Sequence, residues 1–169
     1  MRSFLLVAAT LASCASTNEV PAMNEPNTPG AVVAELYDLV TFGPGRTPDW
    51  DRVRSLFVDE AVIVLRTGRD EMTVFSLDGF VADFMKFIED ADVVTTGFTE
   101  RILDTREVTF GDIAQVLVKF DSHIPGSDRA PREGLDSFEL IRRDGRWQIV
   151  SIVNERPSGG ARIPGYLFN

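Results

Sequence analysis

The stretch SFELIRRDGRWQIVSI, residues 137–152, has the pattern of two β-strands joined by a tight turn. Apolar and polar residues alternate on both sides of Asp144-Gly145, a dipeptide that favours a two-residue hairpin loop. Such a loop fixes three pairs of facing residues: Leu140 with Ile149, Phe138 with Ser151, and Asp136 with Val153. Because this face of the hairpin is mostly apolar, we expect it to lie under the helices of the domain.

A second hairpin precedes the first. Gly111-Asp112 separates strand-like runs over residues 98–110 and 113–124, and the first hairpin extends over 132–143 and 146–155. The turn at Gly111-Asp112 pairs oppositely charged residues: Asp104 with Lys119, and Glu100 with His123. The apolar side chains of the second strand then point inward. His123, the only histidine, is therefore expected to point outward beside Glu100 rather than to act in catalysis.

The N-terminal half has the 3.6-residue period of helices. Thr28-Pro29 predicts the start of a first helix, which runs up to Gly43. Thr47-Pro48 predicts the start of a second, with an apolar stripe formed by Trp50, Val53, Leu56 and Phe57. Ser76 is the expected N-cap of a third helix, whose apolar face carries Phe80, Phe84, Phe87 and Ile88. Between the second and third helices, the β-branched run over 61–66 predicts a buried strand.

This order of elements predicts an α+β domain, and the sequence resembles the nuclear-transport-factor-2-like superfamily. The resemblance rests on the segments 49–61, 110–114 and 137–152. It implies three N-terminal helices packed on a strongly curved, mixed, mainly antiparallel sheet, a cone that encloses an internal pocket. The superfamily includes ketosteroid isomerases, SnoaL-like cyclases, dehydratases and binding modules, so the fold does not fix the function.

The expected pocket is lined by aromatic, apolar and small polar side chains: Tyr37, Trp50, Phe84, Val118, Phe120, Asp136, Phe138, Ser151 and Val153. Among them Asp136 is the candidate catalytic residue. Burial raises the pKa of a carboxyl, which can then donate a hydrogen bond to a ligand oxygen. The structural alternative is that Asp136 pairs with Arg132, with Arg101 or with backbone amides.

The resemblance to ketosteroid isomerases is incomplete at the residues that carry their chemistry. It places Leu65 where those enzymes have a general-base aspartate, and a leucine cannot accept a proton. Tyr37 lies one residue from the position of their proton-donating tyrosine, an offset of about 100° around a helix. Asp136 aligns better, with their second, proton-donating aspartate.

The N-terminus predicts export and a lipid anchor. Arg2 precedes a short apolar run, and Leu11-Ala12-Ser13-Cys14 resembles the lipobox of bacterial lipoproteins. We therefore expect a signal peptide over 1–13, lipidation of Cys14, a flexible tether over 14–28 and the domain over 29–169. An ordinary secretory signal with an incidental cysteine is the alternative. Ala15, instead of the aspartate that retains many lipoproteins at the inner membrane, favours the outer membrane facing the periplasm.

Composition excludes several other functions. A net charge of −9 is unsuited to nucleic acid, and the same charge leaves the lipid anchor as the only expected membrane contact. Cys14 is the only cysteine, so the domain has no thiol for a disulfide or a metal. We expect no metal, because the single histidine and the acidic doublets have no ligand spacing. We also expect no cofactor, because no phosphate-binding loop is present.

The sequence thus predicts a lipid-anchored domain that binds a small apolar or partly polar molecule without transforming it. One alternative is an isomerase, cyclase or dehydratase that uses Asp136. A second alternative is a partner-binding module that uses the outer face of the sheet. Apolar residues expected on that face also predict a homodimer: Leu117, Ile141, Val150 and Ile152.

Overall fold

The computed structural model describes residues 27–158 and 162–169 of the 169-residue chain. Its helices are α1 (Pro29–Val40), α2 (Trp50–Ser55), α3 (Leu77–Asp90) and α4 (Val93–Thr96). Its strands are β1 (Phe57–Arg66), β2 (Met72–Ser76), β3 (Thr99–Phe110), β4 (Ile113–His123), β5 (Arg132–Arg143) and β6 (Arg146–Glu155). A 3-10 turn over Gly165–Phe168 follows. The predicted α+β class is confirmed, whereas the signal peptide, Cys14 and most of the tether lie outside the described residues.

The strands form one mixed sheet in the order β2-β1-β6-β5-β4-β3. Only β1 and β6 pair in parallel, and all other neighbours are antiparallel. Helix α1 packs across β3, β4 and β6, while α3 packs on β1 and β2. Both long helices therefore cover the same face of the sheet, called the inner face below. No helix of the described residues is both long and apolar enough to cross a bilayer.

Local capping sets where the helices begin. Thr28 Oγ1 accepts a hydrogen bond from the Ala31 amide at 3.2 Å, and Ser76 Oγ accepts one from the Gly79 amide at 3.2 Å. These caps place α1 and α3 where the sequence predicts them. The predicted start at Thr47-Pro48 is wrong, because Asp49 is the cap of α2 and accepts from the Arg52 amide at 3.0 Å.

The prediction of three helices is also incomplete. Helix α2 ends at Ser55, so Phe57 begins β1 instead of continuing a helical stripe. The short elements β2 and α4 were not predicted; neither contains enough residues to show a period. The described chain thus has four α-helices, of which two are a turn or slightly more in length.

Two bulges change the register that the turns predict. In the β5–β6 pair, Leu140 faces Ile149 as expected, but Val150 is an extra residue and Phe138 faces Ile152 instead of Ser151. In the β3–β4 pair, Asp104 faces Lys119 as expected, but Leu103 is an extra residue and Glu100 faces Ser122 instead of His123. A shift of one residue moves each side chain beyond the bulge to the opposite face.

The core lies between α1, α3 and the inner face of the sheet. Phe120 and Phe138, each 1% exposed, are its largest fully buried side chains. Burying a ring of this size contributes about 1.5–3 kcal/mol relative to exposure, so these two residues are major contributors to folding. A smaller cluster formed by Phe42, Ile88, Val93 and Phe98 joins the ends of α1 and α3 to the start of β3.

Candidate functional site

A cavity of about 1130 Å³ lies between the helices and the inner face of the sheet. Seven aromatic side chains line it, one of them polar: Tyr37, Phe80, Phe84, Phe87, Phe98, Phe120 and Phe138. Exposed residues of the loops that follow β1, β4 and β6 line its opening. The cavity is therefore open to solvent at the loop end, and its walls combine these aromatic rings with polar side chains such as Asp83 and Asp136.

Asp136 is the centre of a buried hydrogen-bond network inside this cavity. The Tyr37 hydroxyl donates to Asp136 Oδ2 at 2.6 Å, and Asn154 Nδ2 donates to Asp136 Oδ1 at 2.6 Å. The residues come from α1, β5 and β6, and Asp136 faces Asn154 directly across the β5–β6 pair. Both carboxyl oxygens of Asp136 thus have a partner within the protein.

The surroundings of this network disfavour the negatively charged forms of Asp136 and Tyr37. Burial raises the pKa of Asp136 above its ordinary value, although the hydrogen bonds from Tyr37 and Asn154 act in the opposite direction. Burial also raises the pKa of Tyr37, and the neighbouring Asp136 raises it further. Tyr37 therefore stays protonated and serves as a donor to Asp136 at any physiological pH.

Glu100 is a second carboxyl in the same cavity. The bulge at Leu103 turns it to the inner face, and Thr41 Oγ1 fixes its backbone by accepting from its amide at 2.9 Å and donating to its carbonyl at 3.0 Å. Its side chain is 17% exposed. Burial, with the nearby charge of Asp136, raises the pKa of Glu100 to about 8. Within the described residues no side chain is hydrogen-bonded to its carboxyl oxygens, so they are open to a ligand.

The positive charge of Arg156 acts on both acids and lowers the pKa of each. Its Nη2 lies 4.0 Å from Glu100 Oε1, and its guanidinium packs over the Phe120 ring at 5.1 Å from the centroid. Its Nη1 donates to Ser122 Oγ at 3.2 Å and to the Arg132 carbonyl at 3.4 Å. Arg156 thus has a fixed position between the acidic end of the cavity and its opening.

The structure brings together five of the nine predicted pocket residues. Tyr37, Phe84, Phe120, Asp136 and Phe138 all line the cavity.

The other four predicted pocket residues do not line it. Trp50 lies behind Phe84 at a ring separation of 5.5 Å, and Val118 is completely buried in the core. The prediction for Ser151 and Val153 is wrong because the bulge at Val150 turns this end of β6 over. Val153 is 46% exposed as a result.

The partners expected for Asp136 under the structural alternative are also wrong. Arg101 binds Asp121, at 3.0 and 2.6 Å, and Arg132 forms no ion pair with any residue that the structure describes. His123 does not pair with Glu100; it faces Thr99 at the end of β4 and lines the opening of the cavity.

Three polar residues of the site were not predicted from the sequence: Glu100, Asn154 and Arg156. The turn-based register places the first two on the outer face, and neither bulge has a local sequence signal. One hint was present, since the inward apolar series of β4 ends in the polar Ser122, which contacts Arg156. In the described part of the chain, no three His, Cys, Asp or Glu residues are grouped as metal ligands.

Comparison with solved structures places this architecture in a known class. A nuclear-transport-factor-2-like protein with a cystatin-like fold from Novosphingobium aromaticivorans is similar over 77% of this chain and 80% of its own, with 15% identity and a TM-score of 0.61. A protein of unknown function from Silicibacter pomeroyi is 24% identical over 76% of this chain and 92% of its own, with a TM-score of 0.52. A candidate ketosteroid isomerase from Shewanella frigidimarina is 18% identical over 75% and 93%, with a TM-score of 0.54.

These similarities show the fold: the chain has the nuclear-transport-factor-2-like, or cystatin-like, architecture that its sequence resembles. No family model matches the chain. No curated protein matches it either. Function has to be inferred from the residues of the cavity, since this fold carries many activities.

Proposed function

We propose that the cavity binds a small molecule with an apolar body and a polar end, in a protein held at a membrane by a lipid anchor on Cys14. The observation that supports it best is an aromatic cavity with one open carboxyl, that of Glu100, at its polar end. Ligand sites are commonly apolar clefts of about 300–1,000 Å³ with a few placed polar groups, which is close to this arrangement. A partner-binding module with a filled interior is not supported.

The two carboxyls have different roles in this proposal. Asp136 already accepts one hydrogen bond on each oxygen, from Tyr37 and Asn154, so its main role is to hold these neighbours in place. Glu100 is the ligand contact. With a pKa of about 8 it is mostly protonated at pH 7, so it can donate a hydrogen bond to a ligand oxygen.

Filling the cavity tests the binding proposal. The mature chain carrying Cys14→Ser, which has no acyl group, is titrated with the neutral apolar fluorophore N-phenyl-1-naphthylamine. Leu65 lines the cavity, so Leu65→Trp should abolish the fluorescence increase. Val108→Trp adds the same ring at a site on β3 that is 54% exposed and outside the cavity, and should leave binding unchanged. Equal binding by the two variants would contradict the proposal.

Acid–base catalysis is a second candidate function, favoured by one observation. Glu100 is an open carboxyl whose pKa lies near neutral pH, the condition under which a general acid or base is most effective. Asp136, with both oxygens occupied, is less suited to that role. The protein would then be an isomerase, cyclase or dehydratase in which Glu100, and not Asp136, transfers the proton.

Deuterium incorporation distinguishes catalysis from binding. A ligand extracted from the purified protein and identified by mass spectrometry is returned to the protein in D₂O. Catalysis of proton transfer at carbon predicts a mass increase that Glu100→Gln abolishes, while binding alone predicts no increase with either protein.

A further inference from the structure

A small crevice of about 220 Å³ adjoins the opening of the cavity. Three arginines line it, Arg132, Arg156 and Arg162, together with Glu133 and Pro157. Arg132 and Arg156 also line the large cavity, so the two spaces share these side chains. Three guanidinium groups around one small space are unusual in a chain whose net charge is −9.

The positive charge of this crevice is poorly compensated within the protein. Glu133, its one acid, is 3.1 Å from Lys119. Arg132 and Arg162 form no ion pair with any other residue in the described ranges, and the ion pair of Arg156 with Glu100 is long, at 4.0 Å. The crevice therefore has an excess of positive charge.

Arg132 and Arg156 are close enough to repel each other. Burial lowers the pKa of Arg156, the charge of Glu100 opposes this, and the neighbouring charge of Arg132 lowers it again. Arg156 is nevertheless held in place, through neutral acceptors and the Phe120 ring. Two neighbouring cations with fixed positions and little compensation are a favourable arrangement for an anion, because an anion between them removes the repulsion.

Resting on the proposed binding function, we propose that this crevice binds the anionic group of an amphipathic ligand whose apolar body occupies the aromatic cavity. The anionic group is of the carboxylate, sulfonate or phosphate class, which guanidinium groups bind by charge-assisted hydrogen bonds. Two further arginines, Arg69 and Arg129, also line the cavity, but Asp70 and Asp83 line it too, so the excess of positive charge belongs to the crevice arginines. The ligand class is thus an anionic amphiphile, in contrast to the neutral apolar molecule that the cavity alone would select.

Two fluorophores that differ in one charged group test this inference. 8-Anilinonaphthalene-1-sulfonate has the same ring system as N-phenyl-1-naphthylamine with an added sulfonate. The mature Cys14→Ser chain should bind the sulfonate at least about tenfold more tightly, a difference of about 1.4 kcal/mol. Raising the salt concentration should reduce this preference.

Variants locate the charge that is responsible. Arg132→Gln should remove most of the preference for the sulfonate, while Arg132→Lys should retain it. Arg143→Gln, at the exposed end of β5 on the hairpin turn, removes one positive charge far from the crevice and should change nothing. Leu65→Trp should abolish binding of both fluorophores.

The outcomes separate the two proposals. If both fluorophores bind equally and Arg132→Gln alters neither affinity, the anion site is wrong and the binding function stands. If neither fluorophore binds, the binding function fails, and the inference that rests on it fails with it.

Discussion

Two carboxyls line the cavity, that of the buried Asp136 and that of the half-buried Glu100, and they differ in their hydrogen-bond partners. Asp136 receives one hydrogen bond on each oxygen, from Tyr37 and Asn154, and these bonds fix the orientation of its carboxyl. Glu100 has a single cation at 4.0 Å and no hydrogen-bond donor among the described residues. A ligand that hydrogen-bonds to the Glu100 carboxyl therefore does not have to displace a partner within the described residues.

Removing the Tyr37 hydroxyl should destabilise the fold. Tyr37→Phe keeps the ring but leaves Asp136 Oδ2 without its donor in a buried site, at a cost of about 1–3 kcal/mol. Urea unfolding at pH 7 measures this loss. Tyr166→Phe removes the same hydroxyl from a residue that is 71% exposed, and should leave the midpoint unchanged. Equal stability of the two variants would show that the Tyr37–Asp136 hydrogen bond is not important for folding.

Stability should fall as the pH rises from about 4.5 to about 8, through the effect of Glu100. Its pKa is about 8 in the folded state against an ordinary value of 4.5, so between these values the folded state binds more protons than the unfolded state. The stabilisation that comes from the protonated Glu100 is fully present below the unfolded pKa of 4.5 and is lost as the pH rises through the folded pKa of about 8. The free energy of unfolding falls by up to about 1.4 kcal/mol per pH unit in this range.

Glu100→Gln should flatten this part of the pH profile. Urea midpoints measured at several pH values compare it with the parent and with Glu60→Gln, which changes an exposed acid on β1. The Glu60→Gln profile should parallel that of the parent. A Glu100→Gln profile as steep as the parent's would mean that Glu100 has an ordinary pKa in the folded protein.

Among the secondary-structure elements, β4 and β5 make a close contact beside the cavity. Gly134 faces Phe120 across this pair, and a Cβ added at Gly134 would lie 2.5 Å from Cε1 of the Phe120 ring. The same ring packs against Arg156 and lines the cavity. Gly134 therefore leaves room for the Phe120 ring, which belongs to the core and also lines the cavity.

Gly134→Ala should thus destabilise the protein, by about 1–3 kcal/mol, because the rigid ring of Phe120 has to move in a packed core. Gly43→Ala is the matched control, since a Cβ there meets nothing within 4 Å. Thermal unfolding should show a lower Tm for Gly134→Ala alone. Adding Phe120→Leu to Gly134→Ala should recover part of the loss if the collision is its cause.

For the molecule as a whole, the N-terminal segment predicts attachment to a membrane through a lipid on Cys14. Cys14→Ala should prevent lipidation, so the protein should leave the membrane fraction or keep its signal peptide. Fractionation and the intact mass of the N-terminal peptide check this. An unchanged membrane fraction with an unchanged N-terminal mass would contradict the lipobox. If the anchor forms, Ala15 favours the outer membrane in a cell that has one.

We also propose that the outer face of the sheet forms a homodimer, but its composition differs from that expected. Ile152 is buried at 5% exposed and cannot contribute. A row of three valines takes its place: Val64 on β1 faces Val74 on β2 and Val153 on β6. Val74 and Val153 are 68% and 46% exposed, which gives this face an apolar row suitable for association.

Light scattering of the mature Cys14→Ser chain at micromolar concentration should give the mass of a dimer. Val153→Glu places a charge on the apolar row and should give a monomer, while Met85→Glu, on an exposed part of α3, should not. A monomer at every concentration of the parent protein would exclude this association.

Features that depend on near neighbours in the chain could be predicted from the sequence. The caps at Thr28 and Ser76 fix the starts of α1 and α3. Asp144 and Gly145 have φ values of 52° and 78°, the positive values that their hairpin turn requires, and this turn fixes the pairing of Leu140 with Ile149. The fold class and the face of Asp136 follow from these local preferences.

Which polar residues enter the cavity depends on long-range packing and could not be predicted from the sequence. The bulges at Leu103 and Val150 bring Glu100 and Asn154 to the inner face and turn Val153 outward. A sheet that curves around a core needs such extra residues, but their position depends on packing between distant elements, such as Thr41 on Glu100. Because side chains alternate with a period of two, one unpredicted residue exchanges the two faces of the rest of a strand, and the polar end of this cavity lies beyond both bulges.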